Sequence, residues 1–237
     1  MKDFSVSNRF REIYDGYCEG ESEWCWLGAM DKADNIVALC RDYPHSTVLE
    51  IGAGEGSILK RLSDLKFGDM LYALELSEKA FHMIRERKIE SLVECKVFDG
   101  YALPYEDDTF DLAVLSHVLE HAEYPRKLLY EAARAATYVF VEVPLEDNFG
   151  LRRDFVFDEL GHINSYSPKT IRRLAQTCGL EVLRQRVTNP SLRIYTHEYG
   201  GVGLLKYLVK EVMLRALPPV ATVAWTYHSA MICRKNR

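Results

Sequence analysis

An α/β fold, a doubly wound parallel sheet with helices on both faces, is what this 237-residue sequence predicts. Two observations carry that expectation. Between residues 46 and 143, short apolar or β-branched runs alternate with segments of helical period. Strands alternating with helices of this length imply right-handed crossovers between parallel neighbours. The first run ends in a turn holding Gly52, Gly54 and Gly56, and a glycine-rich turn between a buried strand and a helix lets something approach the backbone closely. Composition agrees: 48% hydrophobic and 27% charged residues are near the globular average, so a well-buried core is expected.

The elements follow in order. Residues 1–45 read as a helical lid or cap, with Tyr14, Tyr17, Trp24 and Trp26 in an aromatic lead and an apolar-periodic segment over 27–42. Strand-like TVLEI, LYALEL, LVECKVF, FDLAVLSHV and TYVFVEV then alternate with helical GSILKRLSDL, SEKAFHMIRER and PRKLLYEAARAA. A loop-like stretch leads to Ser167-Pro168, which opens a helix through about Cys178, where Gly179 is a natural stop. Strand-like runs return at 180–188 and about 222–234. Between them Leu204, Leu205, Leu208, Val209, Val212, Met213, Ala216 and Leu217 form an apolar stripe opposite Lys206, Lys210, Glu211 and Arg215. Packing on its own domain, or on a second subunit in a homodimer, is the expected use of that stripe; a membrane-facing role is the less favoured one. One domain over 1–237 is expected, with a core at 46–188 and a helical insertion plus final strand at 189–237.

Charge and cysteines narrow the class. A net charge of −5 with mixed signs gives no basic stripe, so no nucleic-acid partner is expected. Cys18, Cys25, Cys40, Cys95, Cys178 and Cys233 form no C-x-x-C pair, which reads as reduced thiols and no structural zinc. The first residues lack the apolar core of a signal peptide, and no run of about 18 uncharged apolar residues occurs. A cytoplasmic protein without a membrane role is expected.

The glycines invite a ligand. A triphosphate loop would need Lys-Ser or Lys-Thr after them, and neither follows at that spacing. A dinucleotide fold wants G-x-G-x-x-G, but here the spacing is G-x-G-x-G and Ser57 holds the last glycine's place. Glu50, two residues before Gly52, would set an anion at the strand's end. That suits a cationic group better than a pyrophosphate. The string E-x-G-x-G-x-G resembles the first motif of the class I S-adenosylmethionine-dependent methyltransferases. Downstream, Glu75 ends the second run, Asp99 follows the third, and LPYEDDTFDLAVLSHVLEHAEYP and GHINSYSPKTIRRLAQTCGLEV resemble the small-molecule (type 11-like) branch over roughly 46–188.

That resemblance implies a seven-stranded sheet with an antiparallel last strand, and S-adenosylmethionine as cofactor with S-adenosylhomocysteine as product. It implies a pocket from Glu50, Gly52, Ala53, Gly54, Gly56, Glu75, Leu76, Asp99, Gly100, Tyr101 and Ser116. Glu75 would accept the ribose hydroxyls and Asp99 the adenine amino group. The acceptor would be a small molecule, methylated on oxygen or nitrogen. For proton removal or substrate contact His117 stands first, at the end of the fourth run; His162 and Tyr166, in GHINSYS, stand second. The string H-x-x-E-H at 117–121 is shared with metallopeptidases, but it begins at a strand end, so its imidazoles would not share a helical face and no metal site is expected. Two other readings remain, an NAD-dependent oxidoreductase and a non-catalytic cofactor-binding partner module.

Overall fold

The structure, a computed structural model, describes residues 23–151 and 161–236. Tyr14 and Tyr17, half of the expected aromatic lead, lie outside them. Helix α1 (Glu23–Cys40) precedes β1 (Thr47–Ile51), α2 (Ser57–Asp64), β2 (Met70–Glu75), α3 (Glu78–Glu86), β3 (Leu92–Val97) and β4 (Phe110–Ser116). Then come α4 (Pro125–Ala135), β5 (Ala136–Pro144), α5 (Pro168–Thr177) and β6 (Leu180–Thr188). Helices α6 (Leu192–Tyr199), α7 (Gly203–Ala216) and α8 (Pro218–Ala224) lead to β7 (His228–Lys235).

Local chemistry sets these boundaries. Ser77 caps α3 by accepting the Ala80 N–H at 3.3 Å. Ser167 and Thr170 form a reciprocal capping box on α5, with Pro168 just inside the helix. Along β1, side chains alternate between faces: Val48 packs with Ile36, Leu59, Leu62 and Ile84, whereas Leu49 and Ile51 pack with Leu128, Leu129 and Ile171. Two core layers result, one on each face of the sheet.

The sheet has seven strands in the order β3-β2-β1-β4-β5-β7-β6. Strands β1 to β5 pair in parallel, and β7 runs antiparallel between β5 and β6. The strand order turns back between β1 and β4. In open α/β sheets that switch point opens a crevice at the carboxyl ends of the strands.

The expected strand over 222–234 is divided in two. Pro218 and Pro219 open α8, and the Thr222 hydroxyl donates back to Pro218 O at 3.2 Å, so the β-branched VATVA run is helical and the strand begins at His228. The stripe on α7 packs on its own domain only in part. Met213, with Leu214, packs beside Leu145, Ala221 and Tyr227, but Leu204, Leu205, Leu208, Val209, Val212 and Leu217 are exposed. Helix α1 buries Ala33, Ile36 and Leu39 in the core, while the Trp24 indole reaches out to donate to Glu198.

Candidate functional site

A cavity of about 200 Å³ occupies the crevice, with Gly52, Gly54, Glu75, Leu76, Gly100, Tyr101 and His117 in its wall. Backbone geometry after β1 builds its floor. Gly52 and Ala53 both donate to Leu74 O, at 2.8 and 3.2 Å, and this turns the chain out of the sheet. Gly52 has φ +75°, and a Cβ there would meet the Val118 side chain at 2.8 Å. Gly54 has φ +55°, and a Cβ there would meet nothing within 4 Å. The first glycine is demanded by packing; the second leaves its space to a ligand.

Glu75 braces this turn. Its Oε2 accepts Gly54 N–H at 2.7 Å, and its Oε1 accepts Leu76 and Ser77 N–H at 2.7 and 3.1 Å. Three of about four acceptor sites on a carboxylate are thereby filled. Glu50 lies beneath the glycines, fully buried, with Oε2 lacking a hydrogen-bond partner. Burial drives its pKa well above the carboxylate range. Asp99 Oδ1 accepts the Tyr101 and Ala102 N–H groups at 2.8 and 2.6 Å, which shapes the loop carrying Gly100 and Tyr101 into the wall. Ser116 turns its hydroxyl to Glu142 Oε2 at 3.0 Å. Ala53 is buried at the turn, and Gly56 caps α2 with φ +82°.

His117 is the junction residue. It takes a left-handed backbone, φ +57°, rare for a side chain with Cβ and a mark of functional sites. Its backbone N–H donates to Glu142 O at 2.9 Å, and its Nδ1 stands 3.3 Å from Glu120 Oε1. Its Nε2 is buried without a hydrogen-bond partner. The ring packs edge-on against His228, with centroids 4.6 Å apart. Burial, reinforced by the Lys32 charge, holds His117 well below the usual histidine range.

The segment 161–166 closes over the next turn. Ile163 and Asn164 N–H groups both donate to Glu120 O, and the Asn164 amide donates to Leu119 O and Ala122 O. His162 Nδ1 pairs with Glu146 at 2.8 Å, and His121 donates to Gly161 O at 3.3 Å. Tyr166 is buried, and its hydroxyl donates to Leu119 O at 3.2 Å, which gives it a packing role in the wall beneath the site. Thus the structure brings His117 and His121 to the cavity, sets His162 against His121 with ring centroids 4.7 Å apart, and places Tyr166 one layer deeper.

A second pocket, about 590 Å³, lies among α6, α7 and the 225–228 stretch that leads into β7. Tyr195, Tyr199, Lys206, Lys210, Trp225 and His228 are in its wall. His228 is the shared member: it touches this pocket and packs on His117, which lines the first. Lys206 lies over the Tyr199 ring at 3.5 Å. Lys210 donates to Thr226 O at 2.8 Å, and burial lowers its pKa to about 8.

Sequence reasoning missed Glu142, His228, Lys32 and Asn35. Glu142 is fully buried on β5, accepts the Asn35 amide at 2.6 Å, and is pushed up to about 7 by burial. An acid inside the otherwise apolar run TYVFVEV was the available signal, since buried carboxylates survive only with partners. For His228 no signal existed, because its neighbours come from β4 and β5.

Residues 49–137 match a family model described as a methyltransferase domain. An uncharacterised protein of Methanocaldococcus jannaschii is 30% identical over 122 residues, 52% of this chain and 55% of that protein. The biotin biosynthesis bifunctional protein BioHC of Teredinibacter turnerae is 24% identical over 224 residues, 84% of this chain and 39% of that protein. The chain therefore spans about half the length, or less, of these curated relatives. Among solved structures, Haemonchus contortus phosphoethanolamine N-methyltransferase 2, in complex with phosphomonomethylethanolamine and S-adenosylhomocysteine, has a TM-score of 0.66 at 16% identity over 98% of this chain and 61% of that one. That likeness is one of fold.

Proposed function

We propose that the chain, whose residues 49–137 match a methyltransferase domain, is a class I S-adenosylmethionine-dependent methyltransferase that methylates an oxygen or nitrogen of a small-molecule acceptor held in the pocket beside α6 and α7. The observation that carries this reading is the His117–His228 ring contact, which joins the cavity at the glycine turn to the pocket in the insertion. Methyl transfer needs donor and acceptor held in line and shielded from water, and two pockets whose walls meet at the His117–His228 contact support that reading.

The residues present fit the cofactor. Gly54 leaves open space above the turn, Glu50 keeps one buried oxygen unpartnered, and Glu75 retains an acceptor position toward the cavity. When bound, S-adenosylmethionine supplies a sulfonium-activated methyl group. The chain's own part is positioning. Glu75 and the Asp99 loop would hold the adenosyl portion, and His117 would contact the acceptor atom or take its proton. His162 and Tyr166 would act through the 161–166 segment, which is bonded to the 119–122 turn beside the site.

The second pocket indicates acceptor chemistry. Tyr195, Tyr199 and Trp225 offer an apolar, aromatic lining, and Lys206 and Lys210 offer positive charge, with Glu198 as the counter-charge. An acceptor with an apolar or aromatic body and an anionic group suits it. Lys210 then predicts a pH dependence. Its ammonium is charged below about 8, so affinity for an anionic acceptor should fall as pH rises through that value, read from the acceptor KM between pH 7 and pH 9.

Calorimetry with S-adenosylhomocysteine tests the cofactor, and transfer of labelled methyl from S-adenosylmethionine to a panel of anionic aromatic or acyl compounds tests the acceptor. Absence of S-adenosylhomocysteine binding by folded protein would overturn the reading. Binding without transfer to any acceptor would point instead to the non-catalytic module, and stabilisation by NAD to an oxidoreductase.

A further inference from the structure

We infer that His117, Glu142 and His228 form a site for a divalent metal ion of the zinc or iron(II) type, set between the cofactor cavity and the acceptor pocket. One ring nitrogen from each histidine and one oxygen of Glu142 lie within 4.8 Å of one another. Two imidazoles and a carboxylate are the ligand set of open zinc sites and of iron(II) facial sites, which leave positions for water or substrate.

The scaffold is rigid where this requires it. Strands β4, β5 and β7 are adjacent, with Ser116 opposite Glu142 and Pro144 opposite His228 in register. Glu142 thus lies on β5, His228 is the first residue of β7, and His117 sits in the turn one residue after β4. Asn35 and Ser116 orient the Glu142 carboxylate by donating to one oxygen each, at 2.6 and 3.0 Å. Hydrogen-bonded carboxylates of this kind are how ligating oxygens are held in metal sites. Glu142 Oε1 and His228 Nδ1 stand 4.0 Å apart. Donors about 2.1 Å from a tetrahedral zinc lie about 3.4 Å from each other, so a small inward rotation closes the site.

A second observation is independent of these distances. His117 Nε2 is buried with no hydrogen-bond partner, while its Nδ1 faces Glu120 Oε1 at 3.3 Å. A fully desolvated imidazole nitrogen without a partner is costly, and a ligand that accepts its lone pair removes the cost.

The string H-x-x-E-H does not form one site. His117 joins the cluster above, whereas Glu120 and His121 face His162 in a separate group. There His162 is engaged by Glu146 and His121 by Gly161 O, so that group ties the 161–166 segment to the 119–122 turn.

This inference rests on the methyltransferase reading and refines it. His117 would then give its lone pair to the cation in place of taking a proton, and the cation's open positions would take an oxygen of the acceptor arriving from the pocket that His228 lines. An acceptor bearing a hydroxyl or carboxylate is then favoured over an amine.

The test uses the whole chain, stripped with chelator and titrated calorimetrically with ZnCl2, and in parallel with CoCl2 followed by its visible spectrum. The expected result is one equivalent bound, with cobalt bands that lack thiolate charge transfer. His228→Gln and Glu142→Gln should each weaken zinc by at least about 10-fold, on the scale of losing metal-site interactions, while His162→Gln changes it less than about twofold. S-adenosylhomocysteine binding is measured on every sample, which reports folding and tests the cofactor reading separately. Wild-type protein that binds S-adenosylhomocysteine but not zinc overturns the metal site and spares the cofactor reading. Loss of zinc binding in His162→Gln with retention in His228→Gln also overturns it, as does a thiolate band.

Discussion

At Gly52 two costs coincide. A left-handed φ of +75° penalises any Cβ, and that Cβ would press on Val118 at 2.8 Å. Gly52→Ala should lower stability by about 2–4 kcal/mol, roughly the sum of left-handed strain and overpacking. Adding Val118→Ala should recover part of it in thermal unfolding. Gly54→Ala, facing open space, should bear only the strain but should also weaken S-adenosylhomocysteine. Asp99 separates shape from contact. Asp99→Ala should weaken cofactor binding by about 1–3 kcal/mol, the scale of a lost buried hydrogen-bond partner, whereas Asp99→Asn keeps an oxygen for the Tyr101 and Ala102 N–H groups and should lose less. Calorimetry on the pair distinguishes them. At this scale the sequence was legible wherever function lies close along the chain. Gly52, Gly54 and Glu75 announce themselves by spacing, and Glu75 does touch Gly54. Glu142 and His228 do not, because their association with His117 depends on strand order, which no local pattern contains.

Helix α7 shows what periodicity leaves open. The stripe from Leu204 to Leu217 has the spacing of an amphipathic helix, yet its core-facing contacts come from Met213 and Leu214, while Leu208 is 47% exposed. A helical period reports that residues share a face; it does not report which neighbour covers that face. Leu208→Asp should therefore change unfolding free energy by no more than about 0.5 kcal/mol, as exposed substitutions do. Tyr227→Ala should cost about 3–5 kcal/mol, since Tyr227 is fully buried and its hydroxyl donates to Lys210 O at 2.9 Å. Urea titrations of both variants check the contrast. Helix α8 was misread for a related reason: β-branched residues favour strands on average, but two prolines preset a helical first turn and Thr222 completes it.

Across the whole molecule, the alternation of apolar runs and helical segments was enough to foresee the parallel half of the sheet, because each crossover is local in sequence. The antiparallel strand required the family resemblance, and its start was displaced toward the carboxyl end by α8. Bound S-adenosylhomocysteine should stabilise the native chain by about 2.7 kcal/mol at 100 times its Kd, by mass action; NAD should give no shift in the same melting experiment. The placement of β7 has a consequence for biosynthesis. Among the described residues strand β6 pairs only with β7, and β7 lies between β5 and β6, so on the ribosome β5 waits with one edge open and β6 with both while α6, α7 and α8 are translated. At about 5–20 residues per second that interval lasts seconds, long enough for a chaperone, or another nascent chain, to compete for those edges before His228–Lys235 slides between them.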